Sequence, residues 1–324
     1  MRMKRIKPKD QTAVYHCIGR VVGGEMLLGD EEKEFFRKLM WGLADFCGVD
    51  IITYCLMGNH IHILVRTSPA EGLSDGEIWR RVLKHYGRKE LWVQSVDESI
   101  RRTGTLDKGM RKSMLARMGD VSQFMRELKQ RFSNWYNKRN RRFGTLWAER
   151  FKRVLVEDSS EALRTVSMYI DLNPVRAGIV DDPKEYRFCG YAEAVAGLKA
   201  ARRGILDYYG LGNWRKAHAE YRCTMMVYAG TASSEEKVAL NRDKILEVLR
   251  RGGHLDPGEV LRLRVRYFSD GVVFGSRRFV DGVFEEFRDR FGKKRKTGAR
   301  SMRGIGSTFD DLTTIRDLQL ESIT

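Results

Sequence analysis

Residues 49–66 constrain the chain more than any other stretch. Val49 to Met57 is an apolar, β-branched run, Gly58-Asn59 is a tight-turn pair, and His60 to Arg66 is a second such run. Two runs joined this way read as an antiparallel hairpin. In a strand, residues i and i+2 point to one face, so His60 and His62 project side by side with Ile61 opposite. Two neighbouring imidazoles can share one divalent ion, and they can equally be a half-buried pair on a sheet face.

The residues around the hairpin extend the sheet. Thr12 to Val22 is β-rich, Gly23-Gly24 is a turn signal, and Glu25 to Leu28 is expected to return as a strand. Asp30 then caps a helix to about Phe46, with Phe35, Phe36, Leu39, Met40, Leu43 and Phe46 at helical spacing. The first 66 residues therefore read β-β-α-β-β, with the histidine strand inside the sheet. Further helices are expected over 75–89 and in parts of 99–118, where Gly104 and Gly109 interrupt.

Asp120 opens a helix to about Asn140, with Val121, Phe124, Met125, Leu128, Phe132, Trp135 and Tyr136 on one face. Residues 141–153 interleave arginine and lysine with aromatics. Guanidinium groups bind phosphates and aromatics stack on bases, a mixture that suits single-stranded nucleic acid. The spacing of Phe143, Trp147 and Phe151 by four also fits a core face, and at least two of them are expected inward. Arg150, Lys152 and Arg176 are the candidate phosphate contacts. Val154 to Val156 is expected as an edge strand. The next helix, capped by Asp158 or Ser159, runs to Pro174, because proline disfavours helical geometry at the residue before it. Tyr169 and Asn173 lie four apart and so share a helix face.

Sixty Lys and Arg against 43 Asp and Glu leave a net charge of +17, which points to a polyanionic partner, most simply nucleic acid. No stretch approaches the roughly 20 apolar residues that span a bilayer. The basic start of the chain is followed by no apolar signal-peptide core. Five cysteines without a C-x-x-C pair fit reduced thiols. The expected location is cytoplasmic and nucleoid-associated, with no membrane partner.

Four segments are expected: a catalytic domain over 1–200, a linker over 201–234, a small helical unit over 235–292 and a disordered basic tail over 293–324. Three short helices with a basic last one resemble a helix-turn-helix DNA-binding unit. A packing-only appendix fits the same pattern.

If His60, His62 and Asn173 meet at one divalent ion, coordination positions stay open, as Lewis-acid catalysis requires. An amide oxygen with imidazoles suits Mg²⁺ or Mn²⁺. Tyr169 could then attack a scissile phosphate, giving a covalent 5′-phosphotyrosine and a free 3′-OH without ATP.

The chain resembles the single-tyrosine HUH transposases, and among them the REP-associated tyrosine transposases. The matching pieces are GNHIHILV (58–65), FMRELKQRFSNWYN (124–137), GTLWAERFKRV (144–154), YIDLNPVRAGIV (169–180) and DPKEY (182–186). The resemblance implies a ferredoxin-like α+β domain with helices packed on an antiparallel sheet. It implies His60, His62 and Asn173 as metal ligands and Tyr169 as nucleophile. It also implies single-stranded DNA near hairpin-forming palindromes as substrate, and a protein acting as monomer or homodimer. The stretch 70–118 and everything after about 200 lie outside these motifs. The alternative reading is a non-catalytic DNA-binding protein or repressor that uses the basic C-terminal helices. An RNA-binding reading lacks the paired strand aromatics it would need.

Overall fold

A computed structural model describes residues 2–3, 6–8, 11–210, 212–230, 266–292, 294–301, 312–316 and 320–321. After a two-residue strand, β1 (Arg2–Met3), the chain runs β2 (Ala13–Arg20), α1 (Asp30–Cys47), β3 (Val49–Leu56) and β4 (His60–Thr67). Three helices follow: α2 (Asp75–Tyr86), α3 (Leu91–Thr103) and α4 (Lys108–Leu115). Then come α5 (Val121–Arg139), β5 (Lys152–Val156), α6 (Ser160–Asp171) and α7 (Asn173–Arg176).

Strands β3-β4-β2-β5 lie side by side in that order, all antiparallel. In chain order this is the 2-3-1-4 arrangement of a ferredoxin-like β-α-β-β-α-β unit. Strand alternation sorts the two faces. Gly19, opposite Ile61, lies against both Ile61 and Trp147, and Trp147 packs on Phe36 and Phe132, so this face carries α1 and α5. The other face carries the histidines and receives α6, where Thr53 donates to Asp171 at 2.6 Å. Burying each large core side chain, such as Phe36 or Phe132, contributes about 1.5–3 kcal/mol. Asp120 and Ser159 supply N-caps, accepting from Ser122 and Gln123 and from Ala162 respectively.

The expected return strand over 25–28 does not form. Both edges of β2 are taken, by β4 and β5. Gly23 and Gly24 instead make a short 3-10 turn at φ 66° and 71°. Leu28 N then donates to Gly58 O, which leads the chain across the end of the histidine hairpin into α1. β5 is likewise not an edge strand, since a later strand pairs with it.

Within the expected linker, 201–234, the described residues are mostly helical. After α8 (Gly190–Val195), α9 (Lys199–Tyr209) and α10 (Trp214–Gly230) fold back on the unit. A Cβ at Gly204 would stand 2.1 Å from Ile52 O, so α9 rests directly on the backbone of β3. Arg66 on β4 reaches Asp158 at 2.6 Å and also pairs with Asp207 on α9. Leu56 N donates to Phe188 O, which covers the free end of the β3 edge.

The C-terminal segment differs from the expected helical unit and disordered tail. The part of the expected helical unit over 235–265 lies outside the described residues. Among the described residues come α11 (Arg266–Ser269), β6 (Val273–Ser276), α12 (Arg277–Glu286), β7 (Arg300–Ser301), β8 (Leu312–Ile315) and β9 (Leu320–Glu321). β6 pairs parallel with β5, β8 antiparallel with β6, and β7 with β8. The sheet thus has seven strands, β3-β4-β2-β5-β6-β8-β7, while β9 pairs with β1. Val273, Phe274, Leu312 and Ile315 are buried, and that burial holds these short strands in place. Four-residue strands far apart in sequence are too short to declare a period of two. No helix among the described residues is long and apolar enough to cross a membrane.

Candidate active site

The register of β2 against β4 builds the site. Ile18 faces His62 and Arg20 faces His60, while His16 pairs with Leu64, one diagonal step from His62. Directly opposed residues share a face, so three histidines gather on the α6 side. The His16 and His62 rings stack at 5.0 Å, and His60 meets His62 edge-on at 5.0 Å.

Their hydrogen bonds are directional. His16 Nδ1 lies 2.8 Å from the carbonyl oxygen of Phe268, and His16 Nε2 lies 2.9 Å from His62 Nδ1. A carbonyl only accepts, so His16 donates from Nδ1. A neutral His16 then accepts at Nε2, His62 donates from Nδ1, and His62 Nε2 keeps its lone pair. On His60, Nδ1 donates to Asn59 Oδ1 at 2.6 Å, which again leaves Nε2 as the lone-pair nitrogen. Asn59 is itself tied by Nδ2 to Gly24 O at 3.2 Å.

Burial keeps the three imidazoles neutral. It pulls His16 down to about 4 and His60 down to about 4, although the Asn173 side chain partly opposes the shift at His60. His62 is pushed well below its ordinary value by burial, with the neighbouring His16 and His60 adding to it. Neutral imidazole is the form that ligates metal.

Tyr169 enters from α6, buried, with its ring 5.6 Å from His62 and 5.9 Å from His16. Its other face stacks on Phe268 at 4.7 Å. The Arg176 guanidinium lies 4.2 Å from the centre of the Tyr169 ring and hydrogen-bonds the tyrosine. Arg176 therefore sits beside the phenol rather than out in a phosphate-binding surface, and burial lowers its pKa. The helix carrying Tyr169 ends at Asp171, and Asn173 opens α7 with Pro174 in its first turn. Asn173 thus begins the next helix rather than closing the tyrosine helix, yet its side chain still reaches His60.

The other candidates are more dispersed. Lys152 is on the histidine face opposite Ile18, held by Glu149 at 3.5 Å and Asp270 at 3.6 Å. Arg150 is exposed and lines a cleft of about 680 Å³ with Gln123, Arg126, Lys129 and Phe151. Trp147 and Phe151 are buried and Phe143 is exposed, so two of the three spaced aromatics are core. Tyr15 faces away from the site, under the Arg153 guanidinium.

Two participants are not among the expected site residues. His16 carries a signal, since it shares strand parity with Ile18 and Arg20, which oppose the histidine pair once the register is known. Phe268 carries none, because its approach depends on the β5–β6 pairing.

The donor set can be tested for a metal. Asn173 is buried, its Nδ2 has no hydrogen-bond partner, and its side chain reaches His60. The two imidazole lone pairs and an amide oxygen are acceptors of the kind a divalent cation satisfies. Among the described residues no group of three or more His, Cys, Asp or Glu is arranged to hold a metal ion, so the candidate set is two imidazoles and one amide.

Residues 10–78 match the family described as transposase, IS200-like. The matched segment carries β2 through the start of α2, including His16, His60 and His62. A solved structure of a REP-associated tyrosine transposase bound to a REP hairpin is similar at 16% identity and a TM-score of 0.38. The similarity covers 61% of this chain and 86% of that one. No curated protein matches the chain.

Proposed function

We propose that the protein is a transposase that cuts and rejoins single-stranded DNA through a covalent bond to Tyr169. The observation that carries this is the Tyr169 ring 5.6 Å from His62, on the face that gathers three histidines. The IS200-like match over 10–78 supports the reading.

In the proposed reaction the Tyr169 oxygen attacks the scissile phosphorus. The phenolic proton is released, the bond from phosphorus to the 3′ oxygen breaks, the tyrosine is left esterified to the 5′ phosphate, and the leaving oxygen takes up a proton to become a 3′-OH, so no net proton is consumed. Attack by a 3′-OH on the phosphotyrosine reverses the step and joins strands. Arg176 places positive charge beside the phenol oxygen where negative charge develops. Phe268 and His16 hold the tyrosine ring from two sides, which limits the orientations it must search. His60, His62 and Asn173 would hold a divalent ion, Mg²⁺ or Mn²⁺. Such an ion would supply charge stabilisation for the non-bridging phosphate oxygens. Asn59 and His16 orient the two imidazoles through their Nδ1 atoms. The substrate proposed is single-stranded DNA beside a hairpin-forming palindrome.

The test is Tyr169→Phe on a labelled single strand carrying a hairpin, with Mg²⁺ or Mn²⁺. The parent is expected to form a denaturation-resistant protein–DNA adduct, and the variant none. Cleavage that persists in the variant overturns the assignment.

A further inference from the structure

Of the aromatics spaced by four in the basic stretch, Phe143 stands alone at 95% exposure. Its placement is built. Helix α5 is C-capped by Asn140, and Arg141 takes a left-handed conformation at φ 48°. Arg142 N then donates to Asn137 O at 2.9 Å, the reach-back of a Schellman cap. Asn137 Nδ2 donates to Gly144 O at 2.9 Å from the other side of the ring-bearing residue. Phe143 is therefore held between two ties from one side chain and its backbone. Glycine would fill the left-handed position without strain, and arginine there places a cation at the tip.

The surroundings are cationic. Lys138, Arg139 and Arg141 are exposed and Arg142 is half-buried. Arg139 pairs with Glu31 at 2.5 Å, while Arg141 and Arg142 make no ion pair among the described residues. The tip also lies at the histidine end of the sheet. Val22 N donates to Leu146 O, Val21 N donates to Asn59 O, and Asn59 holds His60.

We propose that Phe143 is a base-stacking residue. Its ring takes the face of one unpaired nucleotide of single-stranded DNA, and Arg141 and Arg142 take the flanking phosphates. A bare aromatic ringed by cations matches a ligand that is flat and apolar on its faces and anionic along its backbone. A duplex buries its base faces, so the ring selects single strands. An anionic lipid surface shares part of this chemistry, but the connection of the tip to the His60 strand favours the nucleic acid. The proposal rests on the single-strand reading of the site above.

The experiment uses the full chain with Tyr169→Phe, so that covalent trapping does not contribute to binding. Binding of a labelled oligothymidylate is measured by anisotropy, with duplex DNA and phosphatidylserine vesicles as competitors. Phe143→Ala is expected to weaken single-strand binding by roughly tenfold or more, the loss of one stacked base. Duplex binding and the salt slope should stay unchanged, since no phosphate contact is removed. Phe143→Trp should restore affinity and quench 2-aminopurine placed in the strand. Equal single-strand binding by Phe143→Ala and its parent overturns the proposal, as does vesicle competition that matches DNA. Adduct formation by the chain with Tyr169 intact is read in parallel. An adduct with no Phe143 effect sinks the stacking alone, and a Phe143 effect without any adduct sinks the cleavage alone.

Discussion

The backbone carbonyl of Phe268 accepts a hydrogen bond from His16 Nδ1 at 2.8 Å, and the ring of the same phenylalanine stacks on Tyr169 at 4.7 Å. One residue of α11 thus acts on both halves of the candidate site. Through His16 it sets which nitrogen of His62 carries the proton, and through its ring it sets the plane of the proposed nucleophile.

His16→Phe should leave His62 Nδ1 without an acceptor while keeping the site filled. Divalent-ion affinity is expected to fall on the order of 10- to 100-fold, the usual cost of losing a ligand's orienting partner. Titration with Mn²⁺ followed by electron paramagnetic resonance measures this. Nitrogen-15 spectra of the metal-free protein should show the Nδ1-protonated form of His62 in the parent and a mixed population in the variant. His16→Gln can accept from His62 through its amide oxygen and should recover part of both signals. An unchanged His62 spectrum in His16→Phe would remove the orienting role.

Phe268→Ala removes a fully buried ring between Tyr169 and Phe274. The cavity should cost about 3–5 kcal/mol of stability, seen as a lower denaturation midpoint. Phe268→Leu should cost less and still lower adduct formation, because a leucine side chain presents no flat surface to the tyrosine. Parent-level adduct formation by Phe268→Leu would show that the stack is packing only.

Gly204→Ala tests whether α9 belongs to the sheet. The added methyl would meet Ile52 O at 2.1 Å, so helix or strand must move. A loss of roughly 1–3 kcal/mol is expected in chemical denaturation. If the segment behaved as a linker, the same change would be neutral or slightly stabilising.

Acid should loosen the packing of α10. Burial pushes the Asp182 carboxyl up, but hydrogen bonds from Arg222, 2.6 Å away, and from Lys184 outweigh it and hold the pKa at about 2. A carboxylate whose folded pKa lies below its unfolded one contributes stability above the unfolded value and loses it as pH falls through the folded one. The parent should therefore lose stability between about pH 4 and pH 2, in the window set by the unfolded Asp value. Asp182→Asn should show a shallower slope across that window. Equal slopes would mean the pair adds nothing.

The histidine hairpin, α1, α5 and the tyrosine helix were legible because each has a strong local signal. Gly58-Asn59 marks the turn, and the apolar faces of α1 and α5 repeat over several turns. The proximity of Tyr169 to His62 was legible only through a resemblance, since nothing local relates residue 62 to residue 169. Glycines give 201–234 the look of a linker in sequence, yet Gly204 lets a helix approach a strand, and Gly210 ends α9 at φ 62°. The strands β6 and β8, four residues each, are too short to carry a local signal. The interruption of the helix at Leu172 escaped because Pro174 sits comfortably in the first turn of α7.

The pairing of β6 with β5 has a consequence in time. During synthesis the ferredoxin-like unit can leave the ribosome and fold with His16, His60, His62 and Tyr169 all present. The acceptor for His16 is not made until residue 268, nearly a hundred residues after the tyrosine. A nascent chain therefore holds its candidate nucleophile before it holds Phe268, the residue that stacks on that nucleophile and accepts from His16.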